Sequence, residues 1–172
     1  LAVKGTYDDA FDLCMEVCAK RGWFNRNTGH NPFTREGKKT AAIEIFDQLG
    51  AIPDWVVVPT GDGNIIAGIW KGFRDLKESG IVNKMPKMLC AQSEESRAIG
   101  EAVWMLQKSG NAHPDWKTVE IAPVAATTVA DSISVDIPRD GLAAVRAVIE
   151  SNGSAVAVPD AEILAAIPEL AR

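Results

Sequence analysis

The residues with the clearest chemical potential form the turn Thr60-Gly61-Asp62-Gly63-Asn64, which follows an apolar run at residues 55–58. That run is rich in β-branched side chains and predicts a strand buried on both faces, which Pro59 ends because it has no N–H to donate. From Ile65 onward the apolar residues recur at helical spacing. A strand, a glycine turn and a helix together present free N–H groups and a helix dipole to an anion, typically a phosphate.

The glycines and the acidic residue of this turn have opposite consequences for anion binding. Gly61 and Gly63 permit close approach of a ligand and favour a positive φ. The Asp62 carboxylate would repel a phosphate, so we expect it to point away and to cap the helix. A turn of this kind also occurs as a plain tight connection between a strand and a helix, and the turn alone leaves both interpretations open.

Other polar residues give weaker signals. His30 is a candidate general base in a polar loop at residues 25–35, although a single loop histidine is more often just exposed. The charged run at residues 36–40 either lines a pocket or, more typically, starts a solvated helix. Residues 92–95 indicate a strand end followed by an N-cap at Ser93. Four further residues are either polar groups at a strand end or turn residues: Thr127, Thr128, Asp131 and Ser132.

The cysteines do not predict a metal site. Cys14 and Cys18 lie one turn apart on a predicted helix and Cys90 lies in a predicted strand, which is typical of reduced core thiols. A metal site would need further ligands, and His30 and His113 are far from both positions in the sequence. We therefore predict no metal-binding residue.

Composition restricts the class of protein. A chain of 172 residues is long enough for one domain with a substantial core. The net charge of −5, without a basic stripe, argues against a nucleic-acid partner. No apolar run approaches the roughly 20 residues that span a bilayer, and the start is not a signal peptide, so we expect no membrane partner and a cytoplasmic location.

The elements that must position the turn alternate between strands and helices. Strands are predicted at residues 1–4, 23–26, 55–58, 87–92 and 154–158. Helices are predicted at about residues 6–21, 34–50, 94–109, 139–151 and 159–172, and a further helix begins at residue 65. Residues 121–135 are predicted to be part loop and part strand. This alternation predicts the α/β class, with right-handed crossovers, a mainly parallel sheet and a three-layer αβα sandwich.

In such a sheet, ligands bind outside the carboxyl ends of the strands. We therefore expect the Gly61 turn, the loop at residues 25–35 and the turn at residues 93–95 to meet there. Thr6 and Asp160 are predicted to cap the first and last helices.

Both ends of the chain indicate part of a longer protein. Leu1 enters a predicted strand without an initiating methionine, and the last helix stops without a following strand. A shortened sheet would expose an edge strand and apolar surface, so we expect self-association as a homo-oligomer.

Several segments, in the same order, resemble one family. They are GTYDDA, NPFTREGKKT, EGKKTAAIEIFDQLG, PDWVVVPTGDGNIIAGIWKGFRDL, AQSEES and TVADSISV followed by PRDG. Together they are similar to threonine synthase, a pyridoxal-phosphate (PLP) enzyme of the tryptophan synthase β type. The match covers nearly the whole chain and is much more specific than the glycine turn alone.

The resemblance implies a partial large domain of PLP fold type II. It also implies the conversion of O-phosphohomoserine and water to threonine and phosphate, with PLP as the electron sink. Backbone N–H groups and the Thr60 hydroxyl would bind the PLP phosphate, so the implied cofactor-binding residues are Thr60, Gly61, Asp62, Gly63, Asn64 and Ile65. The commoner family turn reads Gly-Asn-Ala-Gly-Asn, so the second glycine and the last asparagine are displaced or replaced here.

No catalytic residue of the family is matched in this chain. The Schiff-base lysine of the family lies in a Ser-Phe-Lys-Asp type segment upstream of GTYDDA, and no segment here corresponds to it. The candidate substitutes lie after a predicted strand or on predicted helices: Lys4, Lys38, Lys39 and Lys71. We therefore expect residues 1–172 to form one truncated PLP-binding domain that is inactive by itself, with residues 1–22 as candidates for the end of a small domain.

Two alternative functions remain. A serine/threonine dehydratase would share the fold and the cofactor, although the EGKKT and GIWKGF segments favour threonine synthase. A non-catalytic module that binds a phosphorylated metabolite or another subunit is favoured, for the chain as given, by the absence of a usable lysine.

Overall fold

A computed structural model describes residues 2–111 and 113–172, which contain six helices and three strands. The helices are α1 (Tyr7–Arg21), α2 (Pro32–Leu49), α3 (Asn64–Glu78), α4 (Ala98–Ser109), α5 (Gly141–Glu150) and α6 (Asp160–Leu170). The strands are β1 (Trp55–Pro59), β2 (Lys87–Ser93) and β3 (Ser154–Val158), and a 3₁₀ turn occupies Asp131–Ile133.

The three strands form a parallel sheet in the order β1-β2-β3. Val58, Cys90 and Ala155 are aligned across it and are at most 9% exposed, because their face packs in one core with α3, α4 and α5. On the opposite face Trp55 and Val57 are 45% and 59% exposed. The predicted α/β class and parallel sheet are confirmed. The sheet and the helices packed on its buried face form two of the three predicted layers.

Helices α2 and α3 run side by side in the same direction. A Cβ added at Gly72 would lie 2.7 Å from both the Ala42 Cβ and the Lys39 carbonyl oxygen, so the glycine allows this close packing. One turn earlier in both helices, Lys38 contacts the Gly68 position. Two turns earlier, the Thr34 hydroxyl lies 3.5 Å from the Asn64 amide nitrogen. The N-termini of both helices therefore lie at the same end of the molecule.

The caps of the outer helices were predicted with mixed success. Thr6 caps α1 as predicted, in a capping box in which its hydroxyl accepts the Asp9 N–H and the Asp9 carboxylate accepts the Thr6 N–H. The prediction that Asp160 caps the last helix was wrong, since α6 begins at Asp160 with Pro159 at the N-cap position. Neither α1 nor α6 has a buried residue.

Two predicted strands were wrong. Residues 2–4 and 23–26 form no strand, and Leu1 lies outside the described residues. Trp23 and Phe24 are 63% and 75% exposed, so their apolar character does not report burial in a sheet. A strand needs a neighbour to pair with, and local composition does not supply one. Residues 121–135 also form no strand, and their ordered element is the 3₁₀ turn.

Helix α4 begins at Ala98 after Arg97, so the predicted N-cap at Ser93 was also wrong. Ser93 instead ends β2, and its hydroxyl donates to the Asp160 carboxylate at 3.0 Å. Among the described helices, none combines the length and the apolar character that a membrane crossing requires.

Candidate functional site

A cavity of 550 Å³ lies at the carboxyl end of β1, where the glycine turn leads into α3. Its wall brings together six separate parts of the chain. They are residues 6–8 at the start of α1, Thr28 and Lys38 around the start of α2, residues 59–66, Ala126, and residues 131–136.

The turn presents unpaired backbone donors to this cavity. The N–H groups of residues 61–66 have no acceptor among the residues that the structure describes, and α3 has no side-chain cap. Thr60 differs, because its N–H donates to the Ala91 carbonyl at 2.8 Å and its hydroxyl donates to the Val58 carbonyl at 2.7 Å. The donors available to an anion therefore begin at Gly61, where the dipole of α3 adds positive potential.

Both glycines of the turn are required by close contacts. Gly63 has a φ of 88°, which confirms a positive φ in the turn, whereas Gly61 has no positive φ, so the expectation was wrong at that position. A Cβ there would lie 2.7 Å from the Ala144 Cβ and 3.0 Å from the Asp140 carbonyl oxygen. A Cβ at Gly61 would lie 3.0 Å from the Ile133 Cα. These contacts with neighbouring residues leave no room for a side chain at either glycine.

Asp62 does not cap α3, contrary to the prediction. Its carboxylate accepts the Tyr7 hydroxyl at 2.5 Å and the Arg139 N–H at 3.0 Å, while its carbonyl accepts the Asp140 N–H at 3.0 Å. Burial, followed by the hydrogen bond to Asp62, raises the pKa of the Tyr7 phenol well above its ordinary value. The turn is thus held by the first residue of α1 and by the segment that precedes α5.

Asn64 is held by an ion pair whose carboxylate is buried. Its amide nitrogen donates to the Asp140 carboxylate at 2.9 Å, and the same carboxylate accepts the Arg35 guanidinium through Nε at 2.9 Å and through Nη2. The Asp140 side chain is 4% exposed. The Asn64 Oδ1 atom is buried without a partner among the described residues. Its amide group therefore fixes α3 to α2 and to the start of α5.

Hydrogen bonds from Ser96 hold the part of the cavity wall that residues 131–136 form. Its buried hydroxyl accepts the Val135 N–H at 3.1 Å and lies 3.1 Å from the Ile133 carbonyl, to which it donates. Asp131 and Ser132 lie in the 3₁₀ turn and line the cavity, so they are turn residues. Thr128 lies outside the cavity wall, and its hydroxyl donates to Asp160.

All six residues implied by the resemblance, Thr60 to Ile65, line the cavity, and their contacts with a cofactor stay a prediction. The loop at residues 25–35 contributes Thr28, whereas His30 is exposed and outside the wall. The turn at residues 93–95 does not line the cavity. Sequence reasoning missed Tyr7, which lies 55 residues from its partner Asp62, because no local pattern records a contact of that separation.

The cysteines lie outside the cavity wall. Cys90 is fully buried, as predicted for a core thiol, and burial raises its pKa to about 11. Cys14 and Cys18 are only half-buried, with their Sγ atoms 3.9 Å apart. Within residues 2–111 and 113–172, no cluster of three or more His, Cys, Asp or Glu side chains is arranged to hold a metal.

The parallel sheet and the glycine-turn cavity define a class of protein. The profile of the pyridoxal-phosphate dependent enzymes matches residues 1–172, and the chain belongs to that family. The threonine synthase of Methanosarcina acetivorans is 39% identical to it over 173 residues, and that of Methanocaldococcus jannaschii is 36% identical over 173 residues. Each comparison covers 100% of this chain and 40% of the relative, so the chain spans about two fifths of those relatives.

A solved structure shares the fold at low sequence identity. The processed form of threonine deaminase isoform 2 from Solanum lycopersicum superposes with a TM-score of 0.72 at 21% identity, over 99% of this chain and 43% of that one. The structural likeness confirms the predicted fold of the PLP enzymes, while the sequence relatives confirm the resemblance to threonine synthase.

Proposed function

We propose that this chain is the phosphate-binding part of a threonine synthase, which converts O-phosphohomoserine and water to threonine and phosphate with PLP as cofactor. The observation that carries the proposal is the run of unpaired N–H groups at residues 61–66 on the cavity wall. Several N–H groups at a helix N-terminus are suited to a phosphate dianion. The relatives named threonine synthase support this reaction over that of a dehydratase.

The residues of the turn fit the phosphate of PLP. Gly61 and Gly63 allow the turn to pack closely against Ile133, Ala144 and Asp140. The Asp62 carboxylate accepts hydrogen bonds from Tyr7 and Arg139. Thr60 shapes the end of β1, since both of its donors are used by the strands. PLP supplies an electron sink when it is bound. The contribution of these residues is to bind its phosphate and fix its position.

The remaining expectations are proposals about the longer protein. We place the lysine that anchors PLP outside these 172 residues, so the chain alone is inactive. Residues 1–22 are assigned to the end of a small domain, which is supported by the absence of buried residues in α1. Exposed Trp55 and Val57 support a homo-oligomer, which light scattering across concentrations tests. A cytoplasmic location belongs to the same proposal.

The test compares two ligands that cannot react with lysine because they carry no aldehyde. Pyridoxine 5′-phosphate and pyridoxine are titrated into the 172-residue chain by calorimetry. We expect the phosphate form to bind at least about 10-fold more tightly, since hydrogen bonds to a charged group contribute about 1.5–3 kcal/mol.

Gly63→Ala should reduce the affinity for the phosphate form by about 10-fold or more, because the new Cβ displaces the turn. Gly50→Ala is the matched control, since Gly50 also has a positive φ, 64°, but no atom lies within 4 Å of an added Cβ. Equal affinity for the two ligands, or unchanged binding by Gly63→Ala, would contradict the assignment. In the longer enzyme, phosphate release from O-phosphohomoserine against ammonia release from threonine separates synthase from dehydratase.

A further inference from the structure

The cavity wall contains one basic side chain that the phosphate site does not use. Lys38 is exposed, lines the cavity, and makes no ion pair or hydrogen bond with the described residues. The neighbouring lysines are committed elsewhere. Lys39 lies 2.5 Å from the Asp75 carboxylate and 2.8 Å from that of Glu36, and Lys71 pairs with Glu36. Among the described residues, Lys38 is therefore an unpaired cation in the cavity wall.

The packing of α2 against α3 determines where Lys38 lies. The absence of a side chain at Gly68 allows the Lys38 Cβ to contact α3 one turn after Asn64. Helical side chains lean toward the helix N-terminus. Because both helices begin at the same end, the Lys38 ammonium on its four-carbon stem extends toward the first turn of α3 and the opening of the cavity.

The rest of the wall is acidic. Four carboxylates line the cavity: Asp8, Asp62, Asp131 and Asp136. Some of this charge is compensated, since Asp8 lies 3.0 Å from the Arg139 guanidinium and Asp136 accepts the Ala126 N–H at 2.8 Å. Among the described residues, Lys38 is the sole lysine or arginine in the wall. A ligand that brings a second phosphate into this cavity meets net negative charge except beside Lys38.

We infer that the Lys38 ammonium binds the phosphate monoester of the substrate, at a position distinct from the turn that binds the cofactor's phosphate. This inference rests on the proposed function. The backbone donors at residues 61–66 are neutral and fixed, so they suit a resident cofactor. A flexible, fully charged ammonium suits a group that must enter and, after the reaction, leave.

The experiment compares ligands and variants in the 172-residue chain. O-phospho-L-homoserine, L-homoserine and pyridoxine 5′-phosphate are titrated separately into wild type, Lys38→Met, Lys38→Arg and Lys77→Met. Lys77 is the matched control because it lies in the last turn of α3, at the end away from the cavity. Lys38→Met should weaken O-phosphohomoserine binding by about 10- to 100-fold, as loss of a charge-assisted contact to phosphate predicts.

Support requires that Lys38→Met leave pyridoxine 5′-phosphate affinity within about twofold, that Lys38→Arg recover most of the loss, and that Lys77→Met bind like wild type. Equal losses for both phosphorylated ligands would assign Lys38 to the cofactor's phosphate and overturn the inference. Wild-type affinity in Lys38→Met, or no preference of wild type for O-phosphohomoserine over homoserine, would overturn it as well. Failure of pyridoxine 5′-phosphate to bind would instead contradict the proposed function, so the two failures are distinguishable.

Discussion

Removing Arg35 should destabilise the chain through the carboxylate that it leaves behind. The Asp140 side chain is 4% exposed and accepts from Arg35 and from Asn64, so Arg35→Met leaves a buried charge with one side-chain donor. Breaking a fully buried pair costs about 3–5 kcal/mol. The Arg35 side chain is 36% exposed, and solvent screening reduces the effect, so we expect a loss of about 2–3 kcal/mol in the free energy of unfolding.

Urea unfolding of four proteins measures this effect as a double-mutant cycle: wild type, Arg35→Met, Asp140→Asn and the double variant. The double variant should be more stable than Arg35→Met, because the side chain introduced by Asp140→Asn carries no charge and its amide oxygen can still accept the Asn64 N–H. The unfolding temperature of Arg35→Met should fall by roughly 4–12 °C for a chain of this size.

The reasoning is refuted if Arg35→Met costs less than about 0.5 kcal/mol, the range of ordinary surface substitutions. It is also refuted if the double variant is no more stable than Arg35→Met. Either result would mean that the Asp140 carboxylate does not depend on Arg35 for compensation. A loss of pyridoxine 5′-phosphate affinity in Arg35→Met would further show that this pair positions the turn through Asn64.

Two predictions concern titration. Tyr7 is the only tyrosine, so the ultraviolet absorbance of tyrosinate should stay low at pH values where a phenol with the ordinary pKa of 10.0 ionises. Asp62→Asn should move this titration toward lower pH. A normal titration in wild type would show that the Tyr7–Asp62 hydrogen bond is absent in solution. Hydrogen bonds from Lys39 and Lys71 lower the pKa of Glu36 to about 2, below its usual 4.5. Because the folded-state pKa is the lower one, the stabilisation is present above pH 4.5 and is lost as the pH falls toward 2. Glu36→Gln should therefore be less stable than wild type at about pH 7, by under about 1 kcal/mol for such partly exposed pairs, and the difference should vanish near pH 2; a gap that persists in acid would contradict the ion-pair origin.

The elements encoded by neighbouring residues were predicted well from the sequence. Thr6 was predicted as the N-cap of α1, and the β-branched run followed by Gly61 and Gly63 predicted β1, the turn and α3. These signals are local, because caps, periodicity and glycine conformations act over a few residues. The resemblance across the whole chain added the cofactor class, which the turn by itself left open.

The predictions that failed depended on partners distant in the chain. Asp62 was expected to cap α3, but Tyr7 and Arg139, 55 and 77 residues away, take its carboxylate. Trp23 and Phe24 have the composition of a strand but no strand beside them. A local pattern states which hydrogen bonds a residue can make and does not state which competing partner the fold brings within reach.

The sequence by itself therefore determined the parallel α/β class, the strand–turn–helix unit and the candidate phosphate donors at the turn. Only the tertiary structure decided that the N–H and the hydroxyl of Thr60 donate to carbonyl groups of the strands. It also decided that Asn64 is held by the Arg35–Asp140 pair. It also decided that Lys38, and not Lys39 or Lys71, remains unpaired in the cavity wall, among the residues that the structure describes. The physical reason is that charge pairing and burial depend on which helices pack together, and the packing of α2 on α3 through Gly68 and Gly72 fixes that choice.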